Sequence, residues 1–353
     1  MISQPSKHPT SLKRLVYKQF LRASLIPIFV VELVLLILYF GITNYITERN
    51  FNLIKNSALG SLYEITLSET QLINEQLIEV SLLSRVIQAD HVKLFSKSSP
   101  PEIATFPIFE YANNGVLYKK NKEGSSLYYS SKTKIGEREL EKARITESMD
   151  NLFRIAVDHH PAIVAAYFNS HDNMNRLYPY IDKVYEQFGP HINMEDYNFY
   201  LRGTHQYNPK RIPMWTKAYL DPAGQGWMVS NVFPIYRGDT LEGVSGLDVT
   251  IEKLIGHLMH LNLPWKSGAF VIDEEGTLLA ITKPVEQALN LKELTKHTYH
   301  QVITETVKKP GRFNLYKNTN PAVKEIRRAI ESSHLGQINI NGEHFFLTYN
   351  TIE

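Results

Sequence analysis

The sequence of 353 residues predicts an α+β protein with an N-terminal transmembrane helix, a long stalk helix and two modules built on antiparallel sheets. Three observations predict this fold class. An apolar run, 25–42, follows a basic segment, and a helix-spaced apolar stripe then continues to about residue 94 without a proline. Beyond the stripe, short strand patterns joined by turn residues alternate with helical patterns, which is typical of α+β folds.

The composition excludes several classes of protein. Hydrophobic residues make up 43% of the chain and charged residues 21%, which is ordinary for a packed core and excludes disordered and collagen-like chains. The chain has no cysteine, so disulfides, cysteine-ligated zinc, iron–sulfur clusters and thiol catalysis are excluded.

The net charge of +2 hides an asymmetry along the chain. Residues 1–24, the predicted cytoplasmic segment, contain no acidic residue and five basic ones, which are Lys7, Lys13, Arg14, Lys18 and Arg22. The rest of the chain is therefore slightly acidic, and no nucleic-acid partner is expected.

Residues 25–43 form the predicted transmembrane helix. The apolar run is about 18 residues long, within the range of about 17–25 that a spanning helix needs. A cleaved signal peptide is the alternative, but its apolar region would be shorter and a small-x-small cleavage site would follow. The basic segment places the N-terminus in the cytoplasm, so residues after about 44 are expected to be periplasmic or extracellular.

Residues 44–95 form the predicted stalk helix. Apolar residues recur at helical spacing over some 45 residues, which predicts one long helix or two joined ones. Such a stripe could pair with a second copy of the chain, so a homodimer is expected. The same stripe could pack on a sheet as an ordinary core helix, and the two interpretations are compatible.

The remaining residues alternate between predicted strands and helices. The clearest hairpin pairs 226–236 with 241–250. Helices are predicted at 137–157 and 251–261. The other predicted strands are 106–111, 116–118, 127–129, 163–168, 269–273, 277–281, 312–316, 336–340 and 344–349.

The sequence contains no recognisable catalytic constellation. It has no phosphate-binding loop, dinucleotide fingerprint or nucleophile elbow, so we expect no catalytic residues and no cofactor in the residues present. The histidine pairs lack further ligands in an obvious pattern, and surface histidines are the simpler interpretation, so no metal site is predicted. These pairs are His159 with His160, His257 with His260 and His297 with His300.

Aromatic residues near 167–236 stand beside aspartate and arginine, which is the composition of a small-ligand pocket. A β core with tyrosine hydroxyls at its rim would have the same composition. The candidate ligand-binding residues are Tyr167, Arg176, Tyr178, Arg211, Trp215, Tyr219, Asp221, Trp227 and Asp248.

Three segments of the chain resemble the double Cache family of extracytoplasmic sensor domains. They are 219–236 (YLDPAGQGWMVSNVFPIY), 243–250 (GVSGLDVT) and 270–280 (FVIDEEGTLLA), and the order of elements is also similar over about residues 25–353. The resemblance implies two PAS-like modules, a membrane-distal one at 96–262 that binds a small molecule and a membrane-proximal one at 263–353.

The resemblance further implies the sensory region of a bacterial receptor in the inner membrane. The chain is most like the sensor regions of histidine kinases, and a diguanylate cyclase or a chemoreceptor is the alternative. No output domain is found, so a second span is expected after Glu353. A membrane-tethered interaction protein without a small ligand remains an alternative, whereas an exported hydrolase is disfavoured because no catalytic constellation is present.

Amino-acid-binding members of this family carry an Arg-x-Trp-Tyr segment, then Tyr-x-Asp, then a later Asp. Tyr219, Asp221 and Asp248 match the part that holds an ammonium group. Ile212 takes the position of the arginine that holds a carboxylate, and Arg211 is displaced by one residue. We therefore expect Asp221 and Asp248 to face one cavity, near Trp215, Tyr219 and Trp227, and to bind an amine in preference to a simple carboxylate.

Overall fold

The computed structural model describes residues 12–96, 107–221, 226–256, 267–292, 309–332, 334–340 and 342–352. The chain divides into two compact units, Met1–Ile65 and Thr66–Glu353.

The N-terminal part of the described chain is helical throughout. Helix α1 (Leu12–Phe20) leads through a π-helical turn (Leu21–Leu25) into helix α2 (Ile26–Ser96). Pro27 lies in the first turn of α2 and lacks an N–H, so the helix cannot keep a regular hydrogen bond there and the preceding turn widens. The continuous α2 confirms the predicted long helix. Within the described residues, this helical stretch is the one that is long and apolar enough to cross a membrane.

A large antiparallel sheet dominates the unit Thr66–Glu353. Its nine described strands lie in the order β1-β2-β3-β5-β4-β9-β8-β6, and β7 also pairs with β8. The strands are β1 (Phe109–Tyr111), β2 (Leu117–Lys119), β3 (Ser126–Tyr129), β4 (Ile163–Ser170), β5 (Met174–Tyr178), β6 (Met214–Trp215), β7 (Tyr219–Leu220), β8 (Trp227–Arg237) and β9 (Thr240–Thr250).

The two faces of this sheet bury different elements. One face, the helix face, packs on the C-terminal part of α2, and its core includes Val80, Ile87 and Phe233. This face also carries α3 (Glu137–Ile145), a 3₁₀ turn (Thr146–Met149) and α4 (Asp150–His159). The predicted helix 137–157 is therefore interrupted by a tighter turn.

The other face, the loop face, is covered by the segment that connects β5 to β6. Tyr128, Tyr167 and Val232 of the sheet pack there against Val184 and Tyr200 of the segment. The segment contains α5 (Val184–Gln187), a 3₁₀ turn (Met194–Asp196) and α6 (Asn198–Leu201).

The C-terminal residues form two separate hairpins with their own core. The elements are α7 (Ile251–Leu254), β10 (Phe270–Ile272), β11 (Leu278–Ile281), α8 (Lys283–Leu289), a 3₁₀ turn (Gly311–Phe313), α9 (Pro321–Ser332), β12 (Leu335–Ile340) and β13 (Glu343–Thr348). Phe313, Val323 and Ile338 lie in their shared core.

Two sequence predictions in this part of the chain differ from the described structure or extend beyond it. The predicted strand 312–316 is wrong, because Gly311–Phe313 is a 3₁₀ turn and only Asn314 makes a β-bridge, to Thr277. Helix 251–261 is observed as Ile251–Leu254, and its remainder falls largely outside the described residues, as does the boundary proposed at 262/263. That module boundary stays a prediction.

Candidate functional site

The central strands place a buried carboxylate on the loop face of the sheet. Asp248 of β9 pairs with Ser230 of β8 on one side and with Ala165 of β4 on the other. Two residues along, Gly246 pairs with Tyr167. Because side chains alternate between the faces of a strand, these residues share the loop face.

Asp248 ends a short chain of hydrogen bonds. The Ser230 hydroxyl donates to Oδ1 of Asp248 at 2.5 Å, and the Tyr219 hydroxyl lies 2.6 Å from Ser230 Oγ and 3.4 Å from Asp248 Oδ1. Strand β7 brings Tyr219 here, because it pairs with Met228 at the start of β8. The Asp248 residue is 5% exposed, so water solvates its carboxyl group poorly.

The second predicted carboxylate, Asp221, acts on the same site. It is also buried, two residues beyond Tyr219, and its backbone N–H donates to the Gly226 carbonyl at 2.9 Å. Burial first, and then the charge of Asp221, raise the pKa of Asp248 well above its ordinary value, against the smaller effect of hydrogen bonds from Ser230 and Tyr219. Within the described residues, no basic side chain forms an ion pair with Asp248.

A cluster of aromatic rings begins beside the carboxylates, with Tyr167 and Tyr219. The Phe199 ring of α6 lies 5.8 Å from the Tyr167 ring, 5.7 Å from the Tyr219 ring and 5.0 Å from the Tyr197 ring, on which it stacks. Burial, and then Asp248, also raise the pKa values of Tyr167 and Tyr219, so both phenols stay neutral. The site therefore combines acidic groups with the faces of neutral rings.

Gly246 makes room for Tyr167. A Cβ at this position would collide with the Tyr167 ring and hydroxyl, so the ring lies across β9 only because the residue is glycine. The Tyr167 hydroxyl is buried without a hydrogen bond of normal geometry, although Ser230 lies close enough to lower its pKa slightly. This hydroxyl can therefore hydrogen bond to a group that enters the site.

The structure places Arg176 and Tyr178 on the helix face, away from Asp248. Arg176 is fully buried, and its guanidinium bonds to Glu147 at 2.6 Å and to the Ala143 carbonyl at 2.6 Å. The Tyr178 hydroxyl donates to Asp158 at 3.1 Å. Arg176 pairs with Phe168 on β4, whereas Tyr167 is the neighbour that faces the site.

The two predicted tryptophans also lie on the helix face. Trp215 pairs with Asn231 and packs on the core around α2. Trp227 packs with Ile73 and Ile255. The structure therefore does not bring either ring to Asp248.

Arg211 precedes β6 in the chain, and its side chain lies beside the turn that joins β8 to β9. At about 3.3 Å per residue, this turn is about 25 Å along the hairpin from Asp248. Its guanidinium stacks on the Tyr236 ring at 4.0 Å and donates to the Gly238 carbonyl at 3.0 Å. The Arg211 guanidinium therefore already has partners, and these lie at the end of the hairpin opposite to Asp248.

Four residues of the site were missed by the sequence analysis: Tyr197, Phe199, Ser230 and Gly246. Ser230 and Gly246 could have been found, because the hairpin register aligns Ser230 with Asp248, and a glycine inside a strand often marks a close approach. Tyr197 and Phe199 come from a connecting segment whose packing has no short-range signal.

The described part of the chain contains no cluster of three or more histidine, cysteine, aspartate or glutamate side chains that could hold a metal ion. Of the histidine pairs, His160 lies 3.4 Å from Glu79 of α2. The pairs at 257/260 and 297/300 lie outside the described residues.

No family model and no curated protein matches the sequence. Solved structures that resemble the chain include the ligand-binding domain of the Pseudomonas aeruginosa PAO1 amino acid chemoreceptor PctB in complex with L-Arg. It is 11% identical, with a TM-score of 0.47, over 83% of this chain and 88% of that chain.

Two further structures are similar to a comparable degree. The ligand-binding domain of the Pseudomonas fluorescens chemoreceptor CtaA with L-leucine is 14% identical, with a TM-score of 0.47, over 86% of this chain and 91% of that chain. The ligand-binding domain of the Campylobacter jejuni chemoreceptor Tlp3 with L-norvaline is 11% identical, with a TM-score of 0.42, over 82% of this chain and 86% of that chain.

Proposed function

We propose that this chain is the sensory region of a bacterial transmembrane receptor, and that it binds a small amine-bearing molecule at Asp248. The observation that carries the proposal is the buried carboxyl group of Asp248, which makes no ion pair with a basic side chain of the described residues. A buried carboxylate that lacks a cation is costly to ionise. An ammonium group would supply that charge and form charge-assisted hydrogen bonds.

The aromatic rings favour the same ligand. The faces of Tyr167, Phe199 and Tyr219 carry negative electrostatic potential, which attracts a cation within about 6 Å of a ring centroid. The Tyr167 hydroxyl offers one further polar contact. The site is thus suited to a small cation with some apolar surface.

A ligand carboxylate has no comparable support. Ile212 stands where amino-acid-binding relatives of the resembled family have an arginine. Arg176 and Arg211, the two candidate substitutes, already bond to other groups away from Asp248. An amine without a required carboxylate is therefore the proposed ligand class.

The proposal that the chain belongs to a receptor also depends on its resemblance to double Cache sensors. We propose that α2 anchors the chain in the inner membrane as part of a homodimer, and that a second span and an output domain follow Glu353. A histidine kinase is the proposed output, with a diguanylate cyclase or a chemoreceptor as the alternative. An interaction protein without a small ligand would leave the buried, unpaired carboxyl group of Asp248 without a role.

Thermal unfolding of the full chain in nanodiscs tests the amine. The probes are ethanolamine, putrescine and histamine, with acetate and succinate as carboxylates. We expect an amine to raise the Tm. Asp248→Asn should weaken its binding by about 10-fold to 100-fold, since a hydrogen bond to a charged group contributes about 1.5–3 kcal/mol.

Arg176→Met is the matched control. It should lower the Tm of the unliganded chain but leave the shift caused by the amine unchanged, because Arg176 lies on the helix face. Stabilisation by carboxylates alone, lost in Arg176→Met or Arg211→Ala and retained in Asp248→Asn, would refute the amine proposal.

A further inference from the structure

Helix α2 carries a stripe of polar residues on the side that packs against the sheet. Ser81, Ser84, Gln88 and His91, hereafter the polar stripe, follow one another at spacings of three, four and three residues, so they share one face of the helix. A helix that packs on a sheet normally presents apolar residues there. This departure needs an explanation beyond stability.

Three members of the polar stripe bond to the strands that carry the site. Asn231 of β8 donates to Ser81 at 3.2 Å, and the Gln88 amide donates to the carbonyls of Pro234 at 2.9 Å and Arg211 at 3.0 Å. Nδ1 of His91 lies 2.8 Å from the Ser245 hydroxyl of β9. These contacts attach α2 to both strands.

The same two strands carry the proposed ligand site on their other face. Asn231 directly follows Ser230, so one side chain points to α2 and the other to Asp248. Ser245 directly precedes Gly246, which accommodates Tyr167. One layer of backbone therefore separates the site from the polar stripe.

Hydrogen bonding at this interface is incomplete. Within the described residues, Ser84 Oγ, His91 Nε2 and Asn231 Oδ1 are buried without a partner. Unpaired buried polar atoms raise the energy of the arrangement that contains them. A second arrangement of α2 against the strands that paired these atoms would recover part of this energy, and an element that switches needs such an alternative arrangement.

His91 does not make this interface sensitive to physiological pH. Burial lowers its pKa to about 3, so the imidazole remains neutral. Movement of the strands can therefore alter this interface, whereas a change of pH near neutrality does not alter the charge of His91.

Resting on the proposed function, we infer that the polar stripe of α2 reports occupancy of the Asp248 site, by shifting against β8 and β9 when the site is filled. Ligand binding would draw these strands toward the loop face, and the hydrogen bonds of the polar stripe would follow them. The helix that carries the apolar span would then be the first element to respond.

Hydrogen exchange of the full chain in nanodiscs tests this inference, with peptides that cover 77–95. The site is perturbed in two separate arms, one by ethanolamine and one by Ser230→Ala, which removes the hydroxyl between Tyr219 and Asp248. In each arm we expect the exchange rates of these peptides to change by about threefold or more, while peptides from α9 do not change.

The double variant Gln88→Met/Ser245→Ala removes contacts of the polar stripe without touching the site. It should retain ethanolamine binding but abolish the change in 77–95, whereas Ser96→Ala, whose hydroxyl bonds only within α2, should preserve the change. An unchanged response in the double variant, or none in the wild-type chain, overturns the inference. If ethanolamine fails to bind, putrescine or histamine takes its place in the first arm; if none of the three binds, the proposed ligand class is wrong and the Ser230→Ala arm alone decides.

Discussion

The carboxyl group of Asp248 links the site to the stability of the fold. Its pKa is raised in the folded chain, so the folded state holds a proton that the unfolded state releases above about pH 4. The stabilisation is complete below that pH and is lost as pH rises toward the folded pKa. Without ligand, we expect the free energy of unfolding to fall across this window by up to about 1.4 kcal/mol per pH unit.

Chemical denaturation of wild type and Asp248→Asn from pH 4 to pH 8 measures this effect. The difference between the two proteins isolates Asp248, because the other titrating groups are shared. Asparagine has the same shape and no titration, so the wild type should lose stability relative to the variant as pH rises. A difference that stays constant with pH would contradict the raised pKa.

The residues of the site show what alternation along a strand can and cannot predict. Asp248, Asp221 and Tyr219 come together as the sequence predicts. Trp227 stands three residues before Ser230, an odd number, and therefore lies on the other face once Ser230 pairs with Asp248. Arg176 could not be assigned in this way, since the sequence pattern predicts no strand at 174–178 and the face of Arg176 depends on the pairing of β5 with β4.

At the scale of elements, α2 has a second apolar surface besides the one that packs on the sheet. Ile78, Leu82 and Val86 follow at four-residue spacing, and each is more than half exposed, at 57%, 58% and 60%. In a parallel homodimer these side chains would pack against those of the partner helix, burying apolar surface that otherwise faces water.

Disulfide crosslinking tests this dimer, and the absence of cysteine from the chain makes single substitutions unambiguous. We expect cysteines at Ile78, Leu82 and Val86 to crosslink two copies in membranes under mild oxidation. Cysteines at Val80 and Ile87, which are buried against the sheet, should not. Equal crosslinking at all five positions, or none at any, would exclude this surface as the dimer contact.

The elements differ in how far local sequence determines them. The hairpin of β8 and β9 is predicted nearly to the residue, because alternation and the turn at Gly238 and Asp239 act together. The strand predicted at 312–316 fails because Phe313 and Leu315 reach one apolar core from a 3₁₀ turn and a single β-bridge. Two apolar residues at alternate positions are expected both in a strand and in this turn, so the sequence pattern alone does not distinguish the two conformations.

At the scale of the whole molecule, the two compact units have different surfaces. In the unit Met1–Ile65, the described helical residues expose large apolar side chains over the whole 25–42 run, such as Phe29 at 65% and Ile37 at 63%. The unit Thr66–Glu353 instead buries many of its large apolar residues in several cores. A long run of exposed apolar side chains is unfavourable in water, so we propose that residues 25–43 lie in the membrane.

We propose a direction of insertion from the charge of the N-terminal residues. Residues 1–24 carry five basic and no acidic side chains, and basic flanks stay on the cytoplasmic side of a span. In this proposed topology the Asp248 site, which follows the span, lies outside the cytoplasm. Labelling of single cysteines in spheroplasts with a membrane-impermeant maleimide tests this topology.

We expect Tyr207→Cys, at an exposed position of the unit that carries the site, to react in intact spheroplasts. Leu12→Cys, exposed at the start of α1, should react only after the membrane is permeabilised. Both sites are accessible in the folded chain, so a difference between them reports the membrane and not the fold. Reaction of Leu12→Cys and protection of Tyr207→Cys in intact spheroplasts would reverse the topology, and a site facing the cytoplasm could not sense an external amine.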